Sequence, residues 1–222
     1  MDKYLLREKK YNKIANIVGI IYLLLCSALL LYFLSKHMIY NLTQVIVAII
    51  LLFIPWIFNK FSKIKITSDF RLVYLLFCFI TVIVGSSING YSKFPIWDKV
   101  VHFLSGILVT YVGFIVYHLI SKTKRELQTS DMKLVVLFVY LFNTTVASLW
   151  EIYEYGLYIF LGIDALNMHS TLANDTMQDM IVCNIGGILI LIYTVKRLRS
   201  HKSSFLINTY LHFLGYNGYL AA

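Results

Sequence analysis

The stretch Ala15–Ser35, ANIVGIIYLLLCSALLLYFLS, runs for 21 residues without a charged side chain. As an α-helix it would be about 31 Å long at 1.5 Å per residue, which matches a hydrocarbon core of about 30 Å. Five further runs of similar character follow: Leu42–Phe58, Phe70–Ile88, Val100–Ile120, Leu134–Phe160 and Met177–Val195. In lipid an α-helix satisfies its own backbone groups, so runs of this length read as spanning helices. The rest of the chain agrees. Of 222 residues 59% are hydrophobic and only 14% charged, with mean hydropathy +0.73, and this excludes an ordinary soluble domain and a disordered chain. The expected fold is an all-α, polytopic membrane helix bundle of six transmembrane helices, a single transmembrane domain over 1–222. Pro55 should kink the second span or end it early. The first run shows no small-residue cleavage site, so it reads as an uncleaved span.

The net charge of +9 could suggest nucleic acid, but the bases punctuate the apolar runs instead of forming one patch. Seventeen of the twenty lie before span one, around the 2–3 and 4–5 connections, or after span six; only Lys36, Lys93 and Lys99 fall on the other side. The positive-inside rule then puts both termini in the cytoplasm. Cys26, Cys78 and Cys183 each sit inside an apolar run, without a CxxC pair or a disulfide framework. The tail 203–222 is aromatic and nearly uncharged, and reads either as a segment in the headgroup layer or as a frayed end.

The acids are distributed differently. Asp2, Glu8, Asp69, Glu126 and Asp131 fall on the cytoplasmic side and look unremarkable. Asp98, Glu151, Glu154, Asp164, Asp175 and Asp179 all map to the outer ends of spans four to six or the loop between the last two. Charge bias in membrane topology concerns Lys and Arg, not acids, so this clustering needs another cause. Asp98 and His102 are i,i+4, Glu151 and Glu154 i,i+3, and Asp175 and Asp179 i,i+4; each pair shares a helix face. Glu151 lies 17 residues after Leu134, about 26 Å along a helix. Ionisable groups at such depth are costly unless they face a bundle interior or a cavity. Three helices offering polar pairs at one level suggest a shared site. The same faces carry Ser105, Gly106 and Gly113, and Cys183, Gly186 and Gly187, small residues that let helix backbones approach closely.

Plainer readings stand beside this one. Asp98 could be the N-cap of span four, and Asp175 that of span six with Gln178 completing a box. Glu154 could sit in interfacial water, and Asp164 and His169 read as solvated loop residues. His118, His201 and His212 look incidental, and Asn143 reads as interhelical glue.

Asp98-Lys99-Val100-Val101-His102-Phe103, Trp150-Glu151-Ile152-Tyr153-Glu154 and Asp175-Thr176-Met177-Gln178-Asp179, with Asn184 and Gly186-Gly187 beyond, resemble the YjdF-like family of bacterial inner-membrane proteins. More distantly the D-K-x-x-H segment is similar to that of VanZ-like proteins. The likeness covers 95–195. It implies a multi-pass protein of the bacterial cytoplasmic membrane, and the VanZ-like side implies cell-envelope chemistry by analogy.

Three functions follow. The first is an envelope enzyme or binding protein with a divalent-metal site (Mg²⁺, Mn²⁺ or Zn²⁺) near the outer leaflet, since carboxylates with one imidazole suit these ions. Here His102, Glu151 and Asp179 bind metal, Asp98 orients His102 or ligates, Asp175 completes the shell, and Glu154 is the catalytic base toward water. The partners are membrane lipids and a lipid-linked phosphate substrate. A diiron centre would want Glu-x-x-His on two helices, which this chain lacks. The second is proton-coupled transport through buried carboxylates, opposed by the lack of polar residues inward beyond Asn143. The third is a non-catalytic structural, accessory or sensing component, with Lys99 beside Asp98 helping to balance the acids.

Overall fold

A computed structural model describes residues 3–94, 96–163 and 173–220. Every regular element among them is helical: α1 (Lys3–Ser35), α2 (Ile39–Phe61), α3 (Ser68–Cys78) running on into a π-helical turn Phe79–Ser87, α4 (Gly90–Lys93), α5 (Trp97–Ser121), α6 (Met132–Leu161, entered by a 3₁₀ turn Thr129–Asp131), α7 (Ala173–Arg199) and α8 (Phe205–Tyr216). Six segments are long and apolar enough to cross a membrane: Lys3–Ser35, Ile39–Phe61, Ser68–Ser87, Trp97–Ser121, Thr129–Leu161 and Ala173–Arg199. Each contains one expected span and extends beyond it, save the third, which stops at Ser87. Large apolar side chains cover the outside, among them Ile20, Ile21, Leu24, Leu31, Phe160 and Leu161. Such continuous apolar exposure is foreign to a protein surrounded by water. α2 does not end early, because it runs through Pro55 to Phe61.

The chain divides into two compact units, Met1–Trp97 with Asn208–Ala222, and Asp98–Ile207. In the first, Tyr22, Cys26 and Phe33 of α1 pack with Val45 and Ala48 of α2 and Cys78 and Ile83 of the third span. The π-helical turn closes with Ile88 N–H donating to the Ile83 carbonyl at 3.0 Å and Ser87 Oγ donating to the Val82 carbonyl at 2.9 Å. An inserted residue of this kind re-aims the backbone, and Asn41 of α2 donates to the freed Ser87 carbonyl at 2.7 Å. The tail is not frayed: α8 is helical, and Tyr210, His212 and Leu214 are buried.

In the second unit α5, α6 and α7 approach closely where the small residues lie. A methyl group on Gly106 would overlap the Cys183 carbonyl, and one on Gly186 the Phe103 carbonyl. On Gly187 it would come within 2.8 Å of Thr110 Oγ1 and strike Asn143. These glycines set how near the three polar helix ends come to one another.

Candidate functional site

α5 places Asp98 and His102 one turn apart, with Lys99 beside them. α7 brings Asp175 and Asp179 opposite, again one turn apart. Lys99 Nζ donates to Asp175 Oδ1 at 2.5 Å and to Asp179 Oδ1 at 2.7 Å, and lies 3.4 Å from Asp98 Oδ2. The imidazole sits below this bridge. His102 Nε2 is 3.6 Å from Asp98 Oδ1 and 3.8 Å from Asp179 Oδ1, and Nδ1 is 3.9 Å from Glu151 Oε1 of α6. The three His102 separations exceed hydrogen-bonding distance. The ring is held among acceptors without being bonded to them.

Burial makes the charge count consequential. Asp179 is 3% exposed, Glu151 6% and His102 8%, and Glu151 Oε2 has no hydrogen-bond partner. Among the described residues, four carboxyl groups, those of Asp98, Glu151, Asp175 and Asp179, surround one ammonium. Buried charge left uncompensated costs several kcal/mol per ion. The cluster therefore calls for cations or protons beyond Lys99. Asp98 and Asp175 lie inside the first turns of α5 and α7, where the helix dipole favours a carboxylate; neither is the N-cap residue. Glu154 is half-buried one turn past Glu151 and makes none of these ion pairs. Asp164 and His169 lie outside the described residues.

Asp98, His102 and Asp179 can each offer one ligand atom, and these atoms lie within 4.8 Å of one another. Ligands on a tetrahedral ion at about 2.1 Å stand about 3.4 Å apart, so the 3.6 and 3.8 Å separations around His102 Nε2 fit a small divalent ion with little movement. Of the five expected ligands, Glu151 stands on the Nδ1 side of the ring, and Asp175 pairs with Lys99 and is not among the three converging donors. The ammonium at the centre is what the sequence reading underweighted. Its signal was present: Lys99 is one of three bases on the acid-rich side and adjoins Asp98.

Polar groups continue inward past Asn143, contrary to expectation. Thr144 Oγ1 donates to Asn184 Oδ1 at 2.6 Å, Asn143 Nδ2 approaches the same oxygen at 3.5 Å, and Asn184 Nδ2 donates to the Met180 carbonyl at 2.8 Å. Beyond them Thr110, Thr194 and His118 are all buried. They were obscured because they lie within apolar runs of three separate helices, Thr110 and His118 on α5, Asn143 and Thr144 on α6, and Asn184 and Thr194 on α7.

The first unit carries a second charged group, from residues that look unremarkable in sequence. Asp69 and His212 are completely buried side chains. Asp69 accepts from Arg7 Nε at 2.7 Å and pairs with His212 Nδ1 at 2.9 Å. His212 Nε2 lies 2.9 Å from the Tyr4 carbonyl and 3.6 Å from Glu8 Oε2. Glu8 in turn accepts from the Ser68 backbone and hydroxyl at the start of α3, a carboxylate at a helix N-terminus. Burial, with Glu8 nearby, pushes the Tyr216 hydroxyl up from its ordinary pKa. This group pins α8, aided by Asn217, which exchanges two hydrogen bonds with the Lys65 backbone.

Residues 17–200 match the family described as "Predicted membrane protein (DUF2238)", and the chain belongs to that family, the same as the YjdF-like family that its motifs resemble. The chain is similar to an uncharacterised protein of Thermotoga maritima, 28% identical over 152 residues that cover 68% of this chain and 72% of that one. No solved structure matches.

Proposed function

We propose that this integral membrane protein is a divalent-metal protein of the bacterial cytoplasmic membrane. Asp98, His102 and Asp179 hold the metal at the outer ends of the helices, where the protein hydrolyses a lipid-linked envelope substrate. One observation carries the reading: three donor atoms of suitable chemistry lie within 4.8 Å of one another, beside a buried carboxylate, Glu151, with an unpartnered oxygen. Mn²⁺ and Zn²⁺ suit a mixed imidazole and carboxylate set better than Ca²⁺ does. A bound ion would supply Lewis acidity for attack by water. Glu151 and Glu154 are the carboxylates available to hold the proton released. The outward orientation rests on the distribution of Lys and Arg, and the envelope setting on the resemblance to VanZ-like proteins.

Elemental analysis of the detergent-solubilised protein beside His102→Ala, both monodisperse, tests this. Near-stoichiometric metal in the parent and its loss in the variant are expected. Metal in neither, after exposure to Mg²⁺, Mn²⁺ and Zn²⁺, would remove the metal reading. A second reading, proton-coupled transport, draws on the buried Thr110, Asn143, Asn184, Thr194 and His118. It requires a proton flux in proteoliposomes that Glu151→Gln abolishes, and a silent parent protein would dismiss it.

A further inference from the structure

We infer that Lys99 is a built-in competitor for the metal position, so that the site admits divalent cations and rejects monovalent ones. This rests on the proposed metal site and names how that site selects its ion. The ammonium donates at 2.7 Å to Asp179 Oδ1, and the same oxygen lies 3.8 Å from His102 Nε2. An ion seated between Asp98, His102 and Asp179 must therefore share or take an oxygen that Lys99 already holds. Lys99 also has somewhere to go. Asp175 Oδ1 lies 2.5 Å from Nζ, so the side chain can keep one full ion pair while giving up the other.

The exchange explains why an acidic, largely buried cluster need not collect whichever cation is abundant. A monovalent ion brings no more charge than the ammonium it would displace, and the ammonium is tethered to the site, at an effective concentration no dilute ion matches. A divalent ion brings twice the charge into a cluster whose carboxyl groups outnumber its ammonium. Lys99 is one-fifth exposed at its side chain, enough for the displaced head group to reach water along its stem.

The test is Mn²⁺ binding by isothermal titration to the full-length parent, Lys99→Met and Lys99→Arg in detergent, with K⁺ as competitor. Lys99→Met should bind Mn²⁺ at least tenfold more tightly than the parent and become sensitive to K⁺. Lys99→Arg, which keeps the charge, should stay within about threefold of the parent and insensitive to K⁺. Equal Mn²⁺ affinity in the parent and Lys99→Met overturns the role of Lys99 and leaves the metal site standing. Weaker binding by a folded Lys99→Met also overturns it, since the ammonium would then be scaffolding. Should Lys99→Met misfold, parent-like, K⁺-insensitive binding by Lys99→Arg supports the competition, and tighter or K⁺-sensitive binding overturns it. No binding by any folded protein overturns the inference and the metal reading together. Binding by Lys99→Met alone overturns the inference, because the parent site would then not admit divalent cations.

Discussion

Asp69 in the first unit offers a graded test of how buried charge is handled in this protein. Its carboxylate accepts from Arg7 Nε at 2.7 Å and from its neighbour's backbone, Phe70 N–H, at 3.0 Å, and pairs with His212 Nδ1 at 2.9 Å. Replacing it by leucine fills a similar volume and leaves the Arg7 guanidinium, 22% exposed, and a fully buried imidazole nitrogen without their acceptor. Breaking a buried ion pair from one side costs roughly 3–5 kcal/mol, which for a chain of this size lowers Tm by roughly 6–20 °C. Asparagine should cost markedly less, because its carbonyl still accepts from Arg7 and its amide can donate to a neutral His212. The exposed pair Arg125–Asp131, at 2.7 Å, is the control: Asp131→Asn should give no resolvable shift, as solvent screens such pairs. Thermal denaturation in detergent reads all three. A Tm for Asp69→Leu within error of Asp131→Asn would refute the claim that this cluster holds α8 in place.

Helix approach in the second unit can be checked with Gly106→Ala against Gly156→Ala. The first puts a methyl group into the Cys183 backbone, the second meets nothing within 4 Å, so the first should lower Tm clearly and the second leave it unchanged or slightly raised. Parent-like stability for Gly106→Ala would contradict the close packing described. Glu151→Gln should leave metal-free stability unchanged or improved, because it removes charge from a cluster already in excess and abandons no hydrogen bond of Oε2. A large loss of Tm in metal-free Glu151→Gln would instead mark Glu151 as a structural partner of His102.

The six spans were visible in sequence because a membrane helix is decided locally: about twenty apolar residues suffice, whatever packs against them. The pairs Asp98/His102, Glu151/Glu154 and Asp175/Asp179 were visible for a related reason, since helix periodicity alone puts each pair on one face. What periodicity does not carry is the contact between helices. Lys99 adjoins Asp98 in sequence, but its bridge to Asp175 and Asp179 depends on the depth to which Gly106 and Gly186 let α5 and α7 approach. Asp69 and His212 are 143 residues apart, and nothing near either one announces the other. Glu154 shows another limit of periodicity. Its i,i+3 spacing to Glu151 suggested a shared role, yet three residues along a helix also turn the side chain by about 60° and lift it about 4.5 Å, away from the ion pairs.

The two charged clusters use the same residue types and differ in how completely they are satisfied. Around Asp69, two potential cations, Arg7 and His212, meet two carboxylates, Asp69 and Glu8, and the oxygens are taken up by side-chain and backbone donors. Such a network, its carboxylates matched by cations and donors, specifies one arrangement of the chain. Around His102, four carboxylates meet one ammonium, the ring bonds to none of its neighbours, and one buried Glu151 oxygen is bare. Natural interiors rarely leave such a group unpaired, and this one lies beside three donor atoms of metal-binding type. The difference in satisfaction is therefore what separates the structural role of Asp69 and His212 from the binding role proposed for Asp98, His102 and Asp179.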